Sequence, residues 1–189
     1  MARVIAGESR GRRLAVPAGR DTRPTSDRAR EGLFGTISSI AGPLDGQRVL
    51  DLYAGSGAVG LEALSRGAEH VTLVESAAPA LRVIRANITA LGMPGAEVAG
   101  DRVERFLSQK PGAPYHVVFA DPPYATPDEQ IAAMLTALDA HGWLASGALV
   151  VVERATRSGS LDWPQGYVPV RARRYGEATF WYGLAREGH

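Results

Sequence analysis

The sequence predicts an α/β fold: a seven-stranded, mostly parallel, Rossmann-like sheet with helices on both faces, preceded by an N-terminal β-hairpin. Three observations carry this. Short apolar runs alternate with helix-length amphipathic segments from about residue 49 onward. Those runs are continuous rather than alternating, as strands buried on both faces require. Asp51, Glu75, Asp101 and Asp121 all fall at or just past the ends of the runs. Ligands of open parallel sheets bind outside the carboxyl ends of the strands, near the switch in strand order. Acids at four such ends point to one shared pocket.

The elements follow in order. Arg3-Val4-Ile5-Ala6 and Arg13-Leu14-Ala15-Val16 flank the turn-rich Gly7-Glu8-Ser9-Arg10-Gly11 and read as a hairpin within residues 1–20. Arg23-Pro24-Thr25-Ser26 leads into a helix that Thr25 or Ser26 can cap. Ala29, Leu33, Phe34, Ile37 and Ile40 give that helix an apolar stripe, and Gly42-Pro43 with Asp45-Gly46 ends it. Strand 49–52 is followed by helix 60–66, which Gly67 stops. Strand 71–75 leads to helix 78–91, with Pro79 in its first turn and Gly92 after its end. A short strand around 97–99, a short helix 102–109, strand 117–120, helix 128–140 and strand 148–153 continue the alternation. The last runs, 167–171 and 178–184, have no helix-length segment between them, so they read as an antiparallel hairpin closing the sheet. The expected division is a basic hairpin arm at 1–22 and a main domain at 23–189.

At 189 residues the chain is long enough for one sizeable core. No apolar run is long enough to span a bilayer, and the N-terminus lacks the apolar segment of a secretory signal, so a cytoplasmic protein without membrane contact is expected. The chain has no cysteine, which excludes disulfides, thiolate metal sites and cysteine nucleophiles. His70, His116, His141 and His189 show no metal-ligand spacing, and no metal is expected. The net charge of +1 is unevenly spread. Residues 1–30 hold eight arginines against Glu8, Asp21 and Asp27, a local +5 that leaves −4 for the rest. Such an arm fits either a nucleic-acid footprint or a solvated basic face.

Two motifs carry chemistry. The first is Tyr53-Ala54-Gly55-Ser56-Gly57-Ala58-Val59-Gly60, between a strand and a helix, with Glu75 downstream. By itself this G-x-G-x-x-G also fits a dinucleotide site, and hence a NAD-dependent oxidoreductase. Asp51, just ahead of it in the strand, argues otherwise. Its carboxylate would repel a pyrophosphate docked on the loop, but suits a ligand carrying cations, such as the sulfonium and ammonium of S-adenosylmethionine. The second motif is Asp121-Pro122-Pro123-Tyr124 at the end of strand 117–120. Successive prolines fix φ twice and remove two backbone donors, which makes a rigid turn. A carboxylate, a carbonyl and an aromatic ring then converge on one place. They can accept both hydrogens of a planar exocyclic amine while the ring stacks on its plane. An ordinary proline-rich turn is the other reading of the tetrapeptide alone.

D-x-x-x-G-x-G-x-x-G with an acid at the next strand end resembles the cofactor signature of class I S-adenosylmethionine-dependent methyltransferases. Asp121-Pro122-Pro123-Tyr124 resembles the D/N-P-P-Y/F motif of those that alkylate exocyclic amino nitrogens. Arg3-Val4-Ile5-Ala6-Gly7, Gly11-Arg12-Arg13-Leu14 and Arg23-Pro24-Thr25-Ser26-Asp27-Arg28-Ala29-Arg30-Glu31-Gly32-Leu33-Phe34 add a more specific likeness. Over nearly its whole length the chain resembles the ribosomal small-subunit RNA methyltransferase D family, which methylates N2 of a single guanine in 16S ribosomal RNA.

The resemblance implies roles. Asp51 lies near the methionine moiety, Gly55 and Gly57 let the loop approach it, and Glu75 takes the ribose hydroxyls. Tyr53, Ser56, Ser76 and Arg102 complete the cofactor set with Asp101, which meets the adenine amine or else caps the helix after it. Asp121 and the Pro122 carbonyl hold the target amine, and Tyr124 stacks on the base. Arg10, Arg12, Arg13, Arg23, Arg28 and Arg30 supply RNA contacts. The implied product is S-adenosylhomocysteine, and the implied substrate is 16S ribosomal RNA in an assembling subunit, with contacts to ribosomal proteins and a monomeric enzyme. The arm is expected to be separable, so that deletion of 1–20 spares cofactor binding and abolishes RNA methylation. Rival readings are a DNA or RNA adenine-N6 methyltransferase, the oxidoreductase named above, a protein-glutamine methyltransferase and a non-catalytic RNA-binding protein.

Overall fold

The computed structural model of the chain describes residues 2–16 and 25–187. A short hairpin, β1 (Ala2–Arg3) and β2 (Arg13–Leu14), precedes helix α1 (Asp27–Ala41). The alternating core then runs β3 (Arg48–Leu52), α2 (Ala58–Ser65), β4 (His70–Glu75), α3 (Ala78–Leu91), β5 (Ala96–Gly100), α4 (Val103–Leu107), β6 (Tyr115–Ala120), α5 (Asp128–Ala140) and β7 (Leu144–Ala155). The closing strands are β8 (Tyr167–Tyr175) and β9 (Ala178–Ala185). The main sheet has seven strands in the order β5-β4-β3-β6-β7-β9-β8. Strands β3 to β7 pair in parallel, and β9 joins β7 and β8 antiparallel, closing the sheet as expected.

The strand order reverses direction between β3 and β6, and a ligand of such a sheet sits at that switch point. The sheet separates two apolar layers. Val49, Val117, Phe119, Leu149 and Val151 face the layer of α1, α2 and α3; Leu50, Leu52, Val118, Val150 and Val152 face that of α4 and α5. Successive strand residues point to opposite faces, so this alternation fixes where each residue beyond the strand ends must point.

Local chemistry sets the element ends. Ser26 caps α1 by accepting the Ala29 N–H at 3.1 Å. Helix α3 has proline near its start and ends at Gly92 in the left-handed region. β7 and β8 are longer than the apolar runs that predict them: the start of β7 pairs with β6 at Tyr115, its end pairs with β9 through Arg154 and Ala155, and β8 continues to Tyr175 against β9.

The hairpin expected as a separable arm shares the domain's core. Ala2, Val4 and Leu14 are buried in the same apolar layer as Leu33, Phe34 and Leu61. Its backbone is tied to α2: the Glu62 carboxylate accepts the Ile5 and Ala6 N–H groups, at 2.7 and 3.0 Å, and Ser65 Oγ accepts the Ser9 N–H at 2.8 Å. Gly7, at φ +86°, lies so close to the Ser65 carbonyl that any Cβ would collide with it. Deleting 1–20 would therefore uncover core, and is not a clean removal of an RNA contact.

Candidate active site at the carboxyl ends of the central strands

Three carboxyl groups converge at the switch point. Asp51 pairs with Phe119 in register, and Ala120 with Val152, so Asp121 and Glu153 lie one step beyond a matched pair. By the alternation above, Asp51, Asp121 and Glu153 all point to the α1–α2 side of the sheet. Asp51 is buried, and its Oδ2 accepts the Gly60 N–H at 2.9 Å in the first turn of α2. Burial, opposed by the Gly60 bond and reinforced by the charge of Glu75, pushes its carboxyl up to about 8. Asp121 and Glu153 are neighbours on that face, and both are displaced upward, chiefly by desolvation. For Asp121 the neighbouring Glu153 charge adds to that displacement, so the pair retains a proton where isolated carboxyls would have lost theirs.

The glycine loop is shaped for close approach. Gly55 and Gly57 have φ of +60° and +82°, and a Cβ on Gly55 would point into open space. Gly60 serves packing instead, since a Cβ there would press on Leu73, Val71 and Asp51. Tyr53, between strand and loop, is the one non-glycine residue at positive φ among those described, at +59°. Glu75 is held by three backbone donors: Gly55 N–H reaches Oε1, and Ser76 and Ala77 N–H reach Oε2, each at 2.9 Å. Its carboxylate is thus fixed at the end of β4, beside the loop. The Ser56 side chain is buried, and its carbonyl accepts from Asn87 at 3.0 Å. Asp101 accepts the Arg102 N–H at 2.9 Å and stands 3.7 Å from Arg105 Nε. The helix cap itself is Arg102, and α4 starts one residue later than expected.

The Asp121–Tyr124 turn is braced from β7. Arg154, on the opposite sheet face from Glu153, donates to the carbonyls of Pro123, Tyr124 and Thr126 at 3.1, 3.4 and 2.7 Å. Asp121 N–H donates to the Leu52 carbonyl at 3.3 Å, which ties the turn to β3. Tyr124 and Glu153 line a cleft of about 240 Å³ together with Thr25, Ser26, Tyr175 and Phe180. Glu153 accepts from Thr25 Oγ1 at 3.3 Å and from Tyr124 OH at 3.5 Å. The Arg157 guanidinium stands 5.9 Å from the Tyr124 ring centre.

The sequence reading missed Glu153 and Arg154. Their signal was an acid and a base ending an apolar strand that pairs with the strand carrying Asp121. Of the expected RNA contacts, Arg10, Arg13 and Arg28 are exposed. Arg12 is also exposed, and its guanidinium donates to the Ala90 carbonyl at the end of α3. Arg23 lies outside the described residues. Arg30 is a correction. It is fully buried, donates to the Arg3 carbonyl, pairs with Asp27 at 3.0 Å and lies 3.8 Å from the buried Glu62. It holds the hairpin to α1 and α2 and cannot reach a phosphate. Among the described residues there is no group of three or more His, Asp or Glu that could hold a metal ion, and no helix long and apolar enough to cross a membrane.

Comparison with known proteins supplies a family. The family model described as conserved hypothetical protein 95 matches residues 2–183. Ribosomal RNA small subunit methyltransferase D of Escherichia coli is 37% identical over 178 residues, covering 94% of this chain and 87% of its own length. The solved structure of the Escherichia coli protein yhhF superposes with a TM-score of 0.85 at 34% identity, over 97% of each chain. Magnesium protoporphyrin IX methyltransferase from Synechocystis, solved with bound SAM, shares the fold at a TM-score of 0.63 and 13% identity, over 82% of this chain and 79% of its own.

Proposed function

The chain belongs to the ribosomal RNA small subunit methyltransferase D family, and on that premise we propose that it transfers a methyl group from S-adenosylmethionine to the exocyclic N2 of a guanine in 16S ribosomal RNA. The observation that carries the reading is the placement of Asp51 with its glycine loop and of the Asp121–Tyr124 turn at the ends of adjacent parallel strands, β3 and β6. A cofactor site and an amine site then open onto one another at the switch point. A dinucleotide enzyme has no use for a buried carboxyl at Asp51 or for a half-buried one at Asp121.

The residues fit that cofactor. When bound, S-adenosylmethionine supplies a methyl group already activated on a sulfonium. Gly55 and Gly57 let the loop backbone approach the ligand, and Glu75, fixed by three N–H donors, keeps oxygen lone pairs for ribose hydroxyls. Asp51 offers a carboxyl at the cationic end of the ligand. Asp101 and Arg102 flank the adenine end, with Tyr53, Ser56 and Ser76 around the loop.

The remaining work is positioning. The lone pair of an exocyclic base nitrogen is delocalised into the ring. Asp121 and the Pro122 carbonyl accept its two N–H hydrogens, which returns electron density to the nitrogen and favours its pyramidal form. Tyr124 stacks on a base taken out of its helix or loop, offsetting lost stacking. Arg10, Arg12, Arg13 and Arg28 approach the phosphates, joined by the exposed Arg157, Arg173 and Arg174.

The test is transfer of labelled methyl to small subunits that lack the modification, followed by nucleoside analysis. N2-methylguanosine is expected, with transfer lost in Asp121→Ala. N6-methyladenosine, or no transfer from S-adenosylmethionine, would overturn the reading.

A further inference from the structure

We propose that Glu153 selects the base: its carboxylate accepts the guanine N1–H while Asp121 and the Pro122 carbonyl accept the hydrogens on N2. This rests on the amine chemistry proposed above and names a residue for its specificity. Neither sequence motif distinguishes guanine from adenine, because both bases offer an exocyclic amine.

The distinction lies in the atom beside the amine. In guanine, N1 next to the N2 amine carries a hydrogen and donates. In adenine, N1 next to the N6 amine carries a lone pair and accepts. A discriminating site therefore needs an acceptor fixed beside the amine-binding group. Glu153 meets that geometry. It lies on β7 one step beyond the Ala120–Val152 pair, beside Asp121 one step beyond the end of β6, and points to the same face. It also lines the cleft that Tyr124 walls. The side chain is 6% exposed, and Thr25 and Tyr124 hydroxyls fix its two oxygens. Among the described residues no arginine forms an ion pair with it, and Arg154 on the opposite face is spent on the turn carbonyls.

The shared proton sharpens the fit. Burial raises both carboxyls, and the Glu153 charge adds to the displacement of Asp121, so the pair holds on to a proton. Glu153 presents an acceptor oxygen to whatever lies beside that amine. Guanine satisfies it; adenine would set a lone pair against a buried acceptor.

The test uses small subunits reconstituted with 16S RNA that carries guanine or 2-aminopurine at the modified position. 2-Aminopurine keeps the N2 amine but has an acceptor at N1. The wild-type enzyme should methylate guanine at least about 100-fold faster in single turnover, the loss expected when a buried acceptor is left without its donor. Glu153→Gln, whose amide can donate to N1, should narrow that ratio at least tenfold. S-Adenosylhomocysteine affinity and the melting temperature of the variant establish that it is folded. Equal wild-type rates on the two bases would overturn the proposal without any variant, as would an unchanged ratio in folded Glu153→Gln. Failure of the wild type to methylate guanine would instead sink the function proposed above, so the two failures are distinguishable.

Discussion

Arg154 Nη1 donates to the Pro123 carbonyl at 3.1 Å, and its Nη2 reaches the Thr126 carbonyl at 2.7 Å. One buried guanidinium thus gathers the carbonyls of a turn whose prolines have no N–H to offer. We expect Arg154→Met to leave S-adenosylhomocysteine affinity within about twofold and to lower the methyl-transfer rate by roughly 10- to 100-fold, because a loosened turn misplaces the amine. Arg154→Lys should recover only part of the rate, since a point charge cannot fork across three carbonyls. Single-turnover kinetics beside calorimetric titration decides this; a matching loss in affinity would show general damage instead.

Asp51 makes cofactor binding depend on pH. Its carboxyl is raised to about 8 and so is mostly neutral at pH 7. A cationic ligand favours the ionised form, so S-adenosylmethionine should bind more tightly at pH 8.5 than at pH 6.5, by up to about tenfold per unit below 8. Binding at pH 7 should release protons, seen as a dependence of the calorimetric heat on buffer ionisation enthalpy. Asp51→Asn should remove that dependence and weaken binding. A pH-independent affinity in the wild type would contradict this assignment.

The same shift bears on stability, with the opposite preference. Asp51 gives up its proton near its ordinary value of 3.8 when unfolded and near 8 when folded. Between those values the unfolded state binds fewer protons, so stability falls as pH rises. Asp121 and Glu153, also displaced upward, act in the same direction. The ligand-free protein should melt higher at pH 6 than at pH 8.5. Asp51→Asn should flatten that trend and raise stability at pH 8.5 by on the order of 2 kcal/mol. Circular-dichroism melts across this range are sufficient, and a melting temperature that rises with pH would refute the account.

The hairpin is clamped by a buried charge pair. Arg30 and Glu62 are both fully buried, and Arg66 reaches Glu62 at 2.7 Å from its more exposed side. Glu62→Gln leaves the buried Arg30 charge only the exposed Asp27 as a counter-charge and should cost about 3 kcal/mol in urea unfolding. Adding Arg30→Met should recover part of that loss, because the unpaired charge is then gone. Additive costs in the double variant would show that the two residues act independently.

Exposed and buried arginines should separate in RNA binding. Arg28→Ala should reduce the slope of log affinity against log salt by about 1, as for one lost phosphate contact. Arg30→Met should leave the slope unchanged under conditions where it is folded. Salt titrations of RNA binding with both variants test the assignment directly.

Much of this molecule is local in the sequence. Continuous apolar runs, capping residues and glycines determined the strand and helix order, because they depend on neighbours a few residues away. The cofactor loop and the Asp121–Tyr124 turn were legible for the same reason: each is a contiguous stretch whose backbone the glycines or prolines dictate. Tertiary structure alone decided the rest. Arg28 and Arg30 are two residues apart and look alike as letters, yet one faces solvent and the other is sealed against Glu62, because a helix turns about 100° per residue and only packing says which side is covered. Glu153 and Arg154 acquire meaning only when β7 lies beside β6 in register, which sends one carboxyl to the amine site and the next guanidinium behind the turn. Local chemistry determined what the motifs are; the pairing of distant strands decided which charges surround them.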